Sequence, residues 1–161
     1  MKGSAVVERR SERELVVTRL VDGPVHLVFE AWATPELFKR WWVPRSFGVA
    51  LQSFEADMRA GGRYRLVFAH GESTKEFFGT YLEVTPPSRL VWTNDEGGEG
   101  QTITTVTFTA KGEQTVVTVH DLYPSAQALD EAIASGATSG MPETLAQLDE
   151  LIASLRAQRS A

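Results

Sequence analysis

The sequence predicts an α+β fold in which a curved antiparallel sheet of about seven strands wraps around a long C-terminal helix, with two short helices after the first strand. Three observations carry this. Val49 to His120 is a succession of short alternating runs punctuated by Gly, Pro and acidic residues, which is the texture of an antiparallel meander. Met141, Leu145, Leu148, Ile152 and Leu155 recur at helical intervals and lay one apolar stripe along a helix. A sheet with one dry face needs a cover, and that stripe is the surface that matches it. The third is a single strand followed by helical spacing, placed ahead of the meander.

Taken in order, residues 1–13 form a polar lead, and a single domain is expected over 14–157. Glu14 to Leu20 is apolar and β-branched enough for the first strand. Asp22-Gly23-Pro24 ends it and starts a helix with proline at its first position. Val25, Val28, Phe29 and Trp32 continue that helix. Thr34-Pro35-Glu36 repeats the start signal for a second short helix through Leu37, Phe38, Trp41 and Trp42, which Pro44 stops. Six strands follow at about 50–57, 62–69, 75–84, 89–95, 101–110 and 113–121, with turns at Arg59-Ala60-Gly61, Gly71-Glu72-Ser73, Thr85-Pro86-Pro87, Glu96 to Gly100 and Lys111-Gly112. The last hairpin alternates most clearly: Thr104, Val106 and Phe108 share one face, and Val117 and Val119 continue it. Ser125 caps a run through Leu129 and Ile133 that Gly136 interrupts, and Ser139-Gly140-Met141-Pro142-Glu143 restarts the long helix.

Composition narrows the function classes. The 161 residues suit one domain with one substantial core, and 42% of them are hydrophobic. Net charge is −5, and the 16 Lys and Arg are scattered, so no nucleic-acid partner is expected. The absence of cysteine excludes disulfide and thiolate chemistry and fits a cytoplasmic location. No stretch has the length of a membrane span or the apolar run of a signal peptide. His26, His70 and His120 fall on a helix, a turn and an outward strand face, which is no metal set, and no motif calls for a cofactor.

Two short motifs stand out, Trp41-Trp42-Val43-Pro44 and Asp57-Met58-Arg59-Ala60-Gly61-Gly62-Arg63-Tyr64. Neither pairs a nucleophile with a base, so no catalytic residue is named from them. The tryptophans read first as packing devices and second, for Trp42, as a ligand-stacking wall. Asp57 and Arg59 read as turn chemistry before a strand, with the glycines admitting φ > 0. Tyr64 shares a strand face with Leu66 and Phe68, and its phenol requires a hydrogen-bond partner, either a ligand or another protein group. Asp121 continues the parity of Val117 and Val119, which points a carboxylate inward, where burial would raise its pKa. Strand 75–84 has aromatics on both faces; Val84 favours the Phe78 face as the inner one, and Gly79 marks a candidate bulge.

The order of motifs resembles a known family. Pro24 with Val28-Phe29-Glu30-Ala31-Trp32, Pro35-Glu36, Trp41-Trp42-Val43-Pro44, Asp57 to Gly62, Gly79 with Tyr81-Leu82-Glu83-Val84, Pro86-Pro87-Ser88-Arg89-Leu90 and Gly140-Met141-Pro142-Glu143-Thr144-Leu145 are similar to bacterial homologues of the activator of the 90-kDa heat-shock-protein ATPase. These belong to the START-related (SRPBCC), birch-pollen-allergen-like superfamily. The resemblance covers about residues 14–155. It implies a helix-grip fold with a cavity between sheet and long helix, and binding of diverse hydrophobic small molecules, with cyclase chemistry in a few branches. Many relatives carry Gly-Trp where this chain has Gly140-Met141, which implies a roomier pocket there.

The expected function is therefore binding of a small hydrophobic molecule in that cavity, with Trp42, Tyr64, Phe68, Phe78, Trp92, Phe108, Val119, Asp121, Met141 and Leu145 as its ligand-binding residues. A cyclase-like enzyme acting on a polyketide or aromatic substrate is the alternative, and needs two polar groups converging in the cavity, with Tyr64 and Asp121 as the candidates. A chaperone-associated interaction module is the third reading. It has the thinnest support, because the wet sheet face is rich in Thr with no large apolar patch.

Overall fold

A computed structural model describes residues 5–43, 45–95, 101–134 and 140–160. The elements in chain order are β1 (Val6–Arg9), β2 (Glu14–Val21), α1 (Val25–Ala33), α2 (Pro35–Phe38), a 3₁₀ turn (Arg45–Phe47), β3 (Ala50–Ala56), β4 (Arg63–His70), β5 (Ser73–Thr85), β6 (Arg89–Asn94), β7 (Thr102–Lys111), β8 (Gln114–Leu122), α3 (Ala126–Ala134) and α4 (Met141–Ser160). The expected turn at Glu96 to Gly100, the stop at Pro44 and the interruption at Gly136 lie outside the described residues.

All eight strands join one antiparallel sheet in the order β1-β2-β8-β7-β6-β5-β4-β3. The meander from β3 to β8 is consecutive, and β2 returns to pair with β8, Val17 opposite Val119. Two short helices connect β2 to β3 and α4 covers the inner face, as the pattern predicts. The polar lead supplies one strand more than the alternation predicts, Val6–Arg9, paired with Leu15–Thr18 of β2. Every residue of this edge strand is exposed, so it leaves no alternating signature to read.

Four of the five stripe residues on α4 are buried, and Met141 is half-buried. Their partners include Val17, Val21, Phe108, Val117 and Val119 from the sheet, and Leu27, Val28 and Trp32 from α1. Gly23 lets α4 come close: a β-carbon there would sit 2.3 Å from Ile152 Cγ2. The second short helix ends at Phe38, so Trp41 and Trp42 lie beyond it in a turn. Trp41 is buried with its indole N–H donating to the Ala31 carbonyl at 3.0 Å. Its ring meets Trp32 edge-on with centroids 4.7 Å apart, and Trp42 stacks on Phe38 at 4.6 Å, geometries that aromatic quadrupoles favour.

The inner face of β5 is the one carrying Phe77, Gly79 and Tyr81, and the preference for the Phe78 face is corrected. The pairing with β6 slips one residue between Tyr81 and Glu83, so that Tyr81 faces Trp92 and Val84 faces Leu90. This bulge lies at Leu82, which is exposed, and it resets the parity, placing Tyr81 and Val84 on the same face. Gly79 has a different role. It pairs with Tyr64, whose ring covers it, and a β-carbon at 79 would sit 1.9 Å from the Thr93 carbonyl oxygen.

The Asp57 to Gly62 motif is a turn. Gly61 has φ +86°, Arg59 Nε donates to Asp57 Oδ2 at 2.8 Å, and both side chains are exposed. Asp57 thus holds the arginine side chain, with the nearby amides left to backbone partners such as Arg59 N–H on the Asp57 carbonyl.

Candidate functional site

The interior of the grip is divided. Around α1 the space is filled: Phe108 packs on Phe29 and Trp32 with centroids 5.2 and 5.9 Å away, and Trp92 lies 6.0 Å from Trp32. Val119 and Leu145 belong to the same packed core. Beside the start of α4 it is not filled, and a cleft of about 760 Å³ remains. Its floor is the inner sheet face, through Leu15 and Val17 of β2, Leu66 and Phe68 of β4, Phe77 of β5 and Asn94 of β6. Its roof is Met141 and Thr144 of α4 with Trp42, Val43, Phe47 and Val49. Exposed Phe47, Ser73, Thr74 and Lys75 lie at its mouth.

Of the ten residues expected to bind ligand, Trp42, Phe68, Asp121 and Met141 line this cleft. Trp92, Phe108, Val119 and Leu145 stand in the packed core, because α1 and its tryptophan occupy the space in front of them. Tyr64 and Phe78 line a separate depression shared with Glu55, Asp57, Arg65 and Glu76. That depression is bordered by exposed charges which satisfy one another, Arg65 Nη2 reaching Glu76 Oε2 at 2.8 Å; the cleft under α4 is the place where apolar surface and spare polar groups meet.

The Tyr64 phenol has protein partners. Its hydroxyl lies 2.6 Å from the Thr93 carbonyl and 3.1 Å from Asn94 Oδ1. From there a polar chain crosses the floor. Asn94 Nδ2 donates to Thr104 Oγ1 at 3.0 Å and to the Thr102 carbonyl at 3.3 Å, and the Thr104 hydroxyl donates to Asp121 Oδ1 at 2.6 Å. Burial pushes the Asp121 carboxyl above its ordinary value, with Thr104 and His120 acting in the opposite direction. Asp121 is only half-buried by surface area, since the surface it keeps faces the cleft. Tyr123, two residues on, also lines the cleft; burial, and then the charge of Asp121, raise its phenol's pKa.

The roof is held by side chains of α4. Gln147 Nε2 donates to the carbonyls of Trp41 and Val43 at 2.9 and 2.7 Å, while its Oε1 accepts from Arg45 N–H at 2.9 Å. Thr144 Oγ1 donates to the Trp42 carbonyl at 3.1 Å. Glu143 accepts from both the backbone N–H and the hydroxyl of Ser46, and these bonds hold its pKa low. Three residues spaced along the first two turns of one helix thus satisfy a loop that has no sheet to pair with.

Sequence reasoning missed Phe77, Asn94 and Tyr123. Phe77 was hidden by the bulge. Asn94 keeps the parity of Trp92, and Tyr123 that of Asp121, so a signal existed for both. His120 faces the other side of the sheet and lies 2.6 Å from Glu14. Among the described residues no cluster of three or more His, Cys, Asp or Glu is arranged to hold a metal, and no helix is long and apolar enough to cross a membrane.

Comparison with known proteins agrees with this architecture. A family model described as activator of Hsp90 ATPase homolog 1-like protein matches residues 22–153. Similar solved structures include a protein from Nitrosomonas europaea, 26% identical over 91% of this chain and 98% of the other, with a TM-score of 0.82. A protein from Rhodobacter sphaeroides is 22% identical over 94% and 99%, at 0.85. CalU16 from Micromonospora echinospora is 20% identical over 96% and 87%, at 0.64. No functionally curated protein matches the sequence.

Proposed function

Because the chain belongs to the activator of Hsp90 ATPase homolog 1-like family, whose helix-grip fold commonly accommodates hydrophobic ligands, we propose that it binds one small, largely apolar molecule in the cleft beside the start of α4. The observation that carries this reading is the cleft itself. Its volume of about 760 Å³ lies within the roughly 300–1,000 Å³ of small-molecule sites. Its walls are mainly aliphatic and aromatic, with Asn94, Asp121 and Tyr123 as polar groups on the sheet side and Ser73, Thr74 and Lys75 at the mouth.

Binding draws on three features. Removing the ligand's apolar surface from water supplies most of the free energy, at roughly 25 cal/mol per Å². Trp42, Phe68 and Phe77 offer aromatic faces and edges, and Met141 adapts its shape to what enters. The clamp from Glu143, Thr144 and Gln147 holds the roof before the ligand arrives, which lowers the ordering cost of binding.

Titration with the neutral fluorophore N-phenyl-1-naphthylamine tests the reading. A saturable fluorescence rise at one site per chain, weakened when Met141→Trp narrows the roof, supports it. No saturable binding by this probe or by other apolar compounds of similar size would sink it.

A further inference from the structure

Asp121 is flanked in the sheet by Leu15 of β2 on one side and Thr104 of β7 on the other. Its Oδ1 takes the Thr104 hydroxyl proton, and its Oδ2 has no hydrogen-bond partner among the described residues. The other polar groups of the floor and roof are committed. Asn94 spends its amide on Thr102 and Thr104 and its carbonyl oxygen on Tyr64, and Thr144 is bonded to the Trp42 carbonyl. Tyr123 lines the same cleft, and its hydroxyl likewise has no partner among the described residues. Ser73, Thr74 and Lys75 lie out at the mouth.

We propose that Asp121 and Tyr123 form a two-donor site for the carbonyl oxygen of an otherwise apolar ligand, a ketone, aldehyde or ester. This rests on the cleft being the binding site and names the ligand's polar end. With Oδ1 already accepting from Thr104, a neutral carboxyl carries its proton on Oδ2. The phenol is the second donor. A carbonyl oxygen has two lone pairs and no proton, so it is an acceptor that two donors lining one cleft can both serve.

The surroundings favour the neutral form. Leu15, Val17 and Leu66 supply apolar surface around the floor, and burial raises both groups' pKa values, as happens where a carboxylic acid works as a donor. The nearby cations each have a partner. Arg13 Nε donates to the Tyr123 backbone carbonyl at 2.9 Å. Lys75, on β5, sits 5.1 Å over the Phe77 ring, and His120 points to the opposite sheet face beside Glu14. A ligand ammonium is the competing occupant, and it requires an ionised Asp121.

Three naphthalenes of nearly one shape separate the possibilities: 2-acetylnaphthalene, 2-ethylnaphthalene and 1-(2-naphthyl)ethylamine, each titrated against the full chain. The expected result is about tenfold tighter binding of the ketone than of the hydrocarbon, one net hydrogen bond's worth or slightly more. That ratio falls toward one in Asp121→Leu and in Tyr123→Phe and is kept in Asp121→Asn, whose amide still donates. The infrared carbonyl stretch of the bound ketone moves to lower wavenumber in wild type and Asp121→Asn. Tyr123→Phe, which removes one oxygen atom, serves as the check where Asp121→Leu fails to fold. Equal affinity for ketone and hydrocarbon overturns the two-donor site and leaves the cleft reading standing. Tightest binding of the amine, lost in Asp121→Asn, overturns it in favour of an ionised counter-ion. Binding of none of the three removes both the site and the cleft reading.

Discussion

Gln147 holds Val43 from across the cleft roof: its amide nitrogen lies 2.7 Å from the Val43 carbonyl oxygen, although 104 residues separate them. The same carboxamide also satisfies the Trp41 carbonyl and the Arg45 N–H. One buried side chain thus completes the hydrogen bonding of a turn that runs between two tryptophans and a 3₁₀ turn. Replacing Gln147 by Leu leaves three backbone groups without partners where water has little access. Destabilisation of about 2–4 kcal/mol is expected, read from urea denaturation midpoints. N-phenyl-1-naphthylamine binding should weaken as Trp42 and Val43 lose their fixed positions, and a Gln147→Leu protein as stable as wild type would show that the clamp is idle.

A second prediction concerns pH. The folded Asp121 carboxyl titrates above its unfolded value of 3.8, so between these two values the folded chain holds more protons than the unfolded one. Stability from this group is fully present below pH 3.8 and is lost as pH rises through the folded value. In Asp121→Asn that dependence is absent. The difference between variant and wild type should therefore grow in the variant's favour as pH rises above about 4, at up to roughly 1.4 kcal/mol per pH unit inside the window. Comparing the two proteins cancels the opposite slope from Glu14, Glu76 and Glu143, whose pKa values are lowered by their partners. Parallel stability curves would contradict the burial argument.

Gly79 and Gly71 should respond very differently to alanine. At Gly79 the new β-carbon meets backbone, 1.9 Å from the Thr93 oxygen and 2.8 Å from Tyr64 Cε2, and the strand has to move. A loss of more than about 3 kcal/mol is expected. At Gly71 the space is open and the cost is that of φ +62° in a turn, about 1 kcal/mol. Thermal unfolding of the two variants decides, and similar losses at both positions would refute the close packing of β5 against β6.

Met141→Trp should lower affinity for N-phenyl-1-naphthylamine by about tenfold or more with little change in stability, since the indole enters existing space in the cleft and need not displace the core. Isothermal titration and a urea curve on the same sample give both numbers. A large loss of stability would mean that the roof has no room for the ring.

The fold was legible because it rests on local periodicity. The 3.6-residue stripe from Met141 to Leu155 and the alternation from Thr104 to Val119 are each written on one continuous segment. Turn glycines and helix-starting prolines mark where segments end. Strand β1 escaped because an exposed edge of four residues has no buried face to pattern, and the inner face of β5 was misread because one bulged residue at Leu82 exchanges the faces downstream of it.

Outside β5, inward orientation is written in the sequence: the inward-pointing Asp121 carboxylate, Phe68 and Met141 follow from period and spacing. Which inward residues stay packed and which border empty space depends on how the elements assemble. Phe108 and Asp121 share one face of the sheet, yet Trp32 of α1 covers Phe108 at 5.9 Å while Asp121 opens onto the cleft. Periodicity reports one segment's orientation to its own surface, whereas a void depends on how far two separate elements are held apart. Here that separation is set by the α4 clamp on residues 41–46, made between side chains and backbone groups about a hundred positions apart.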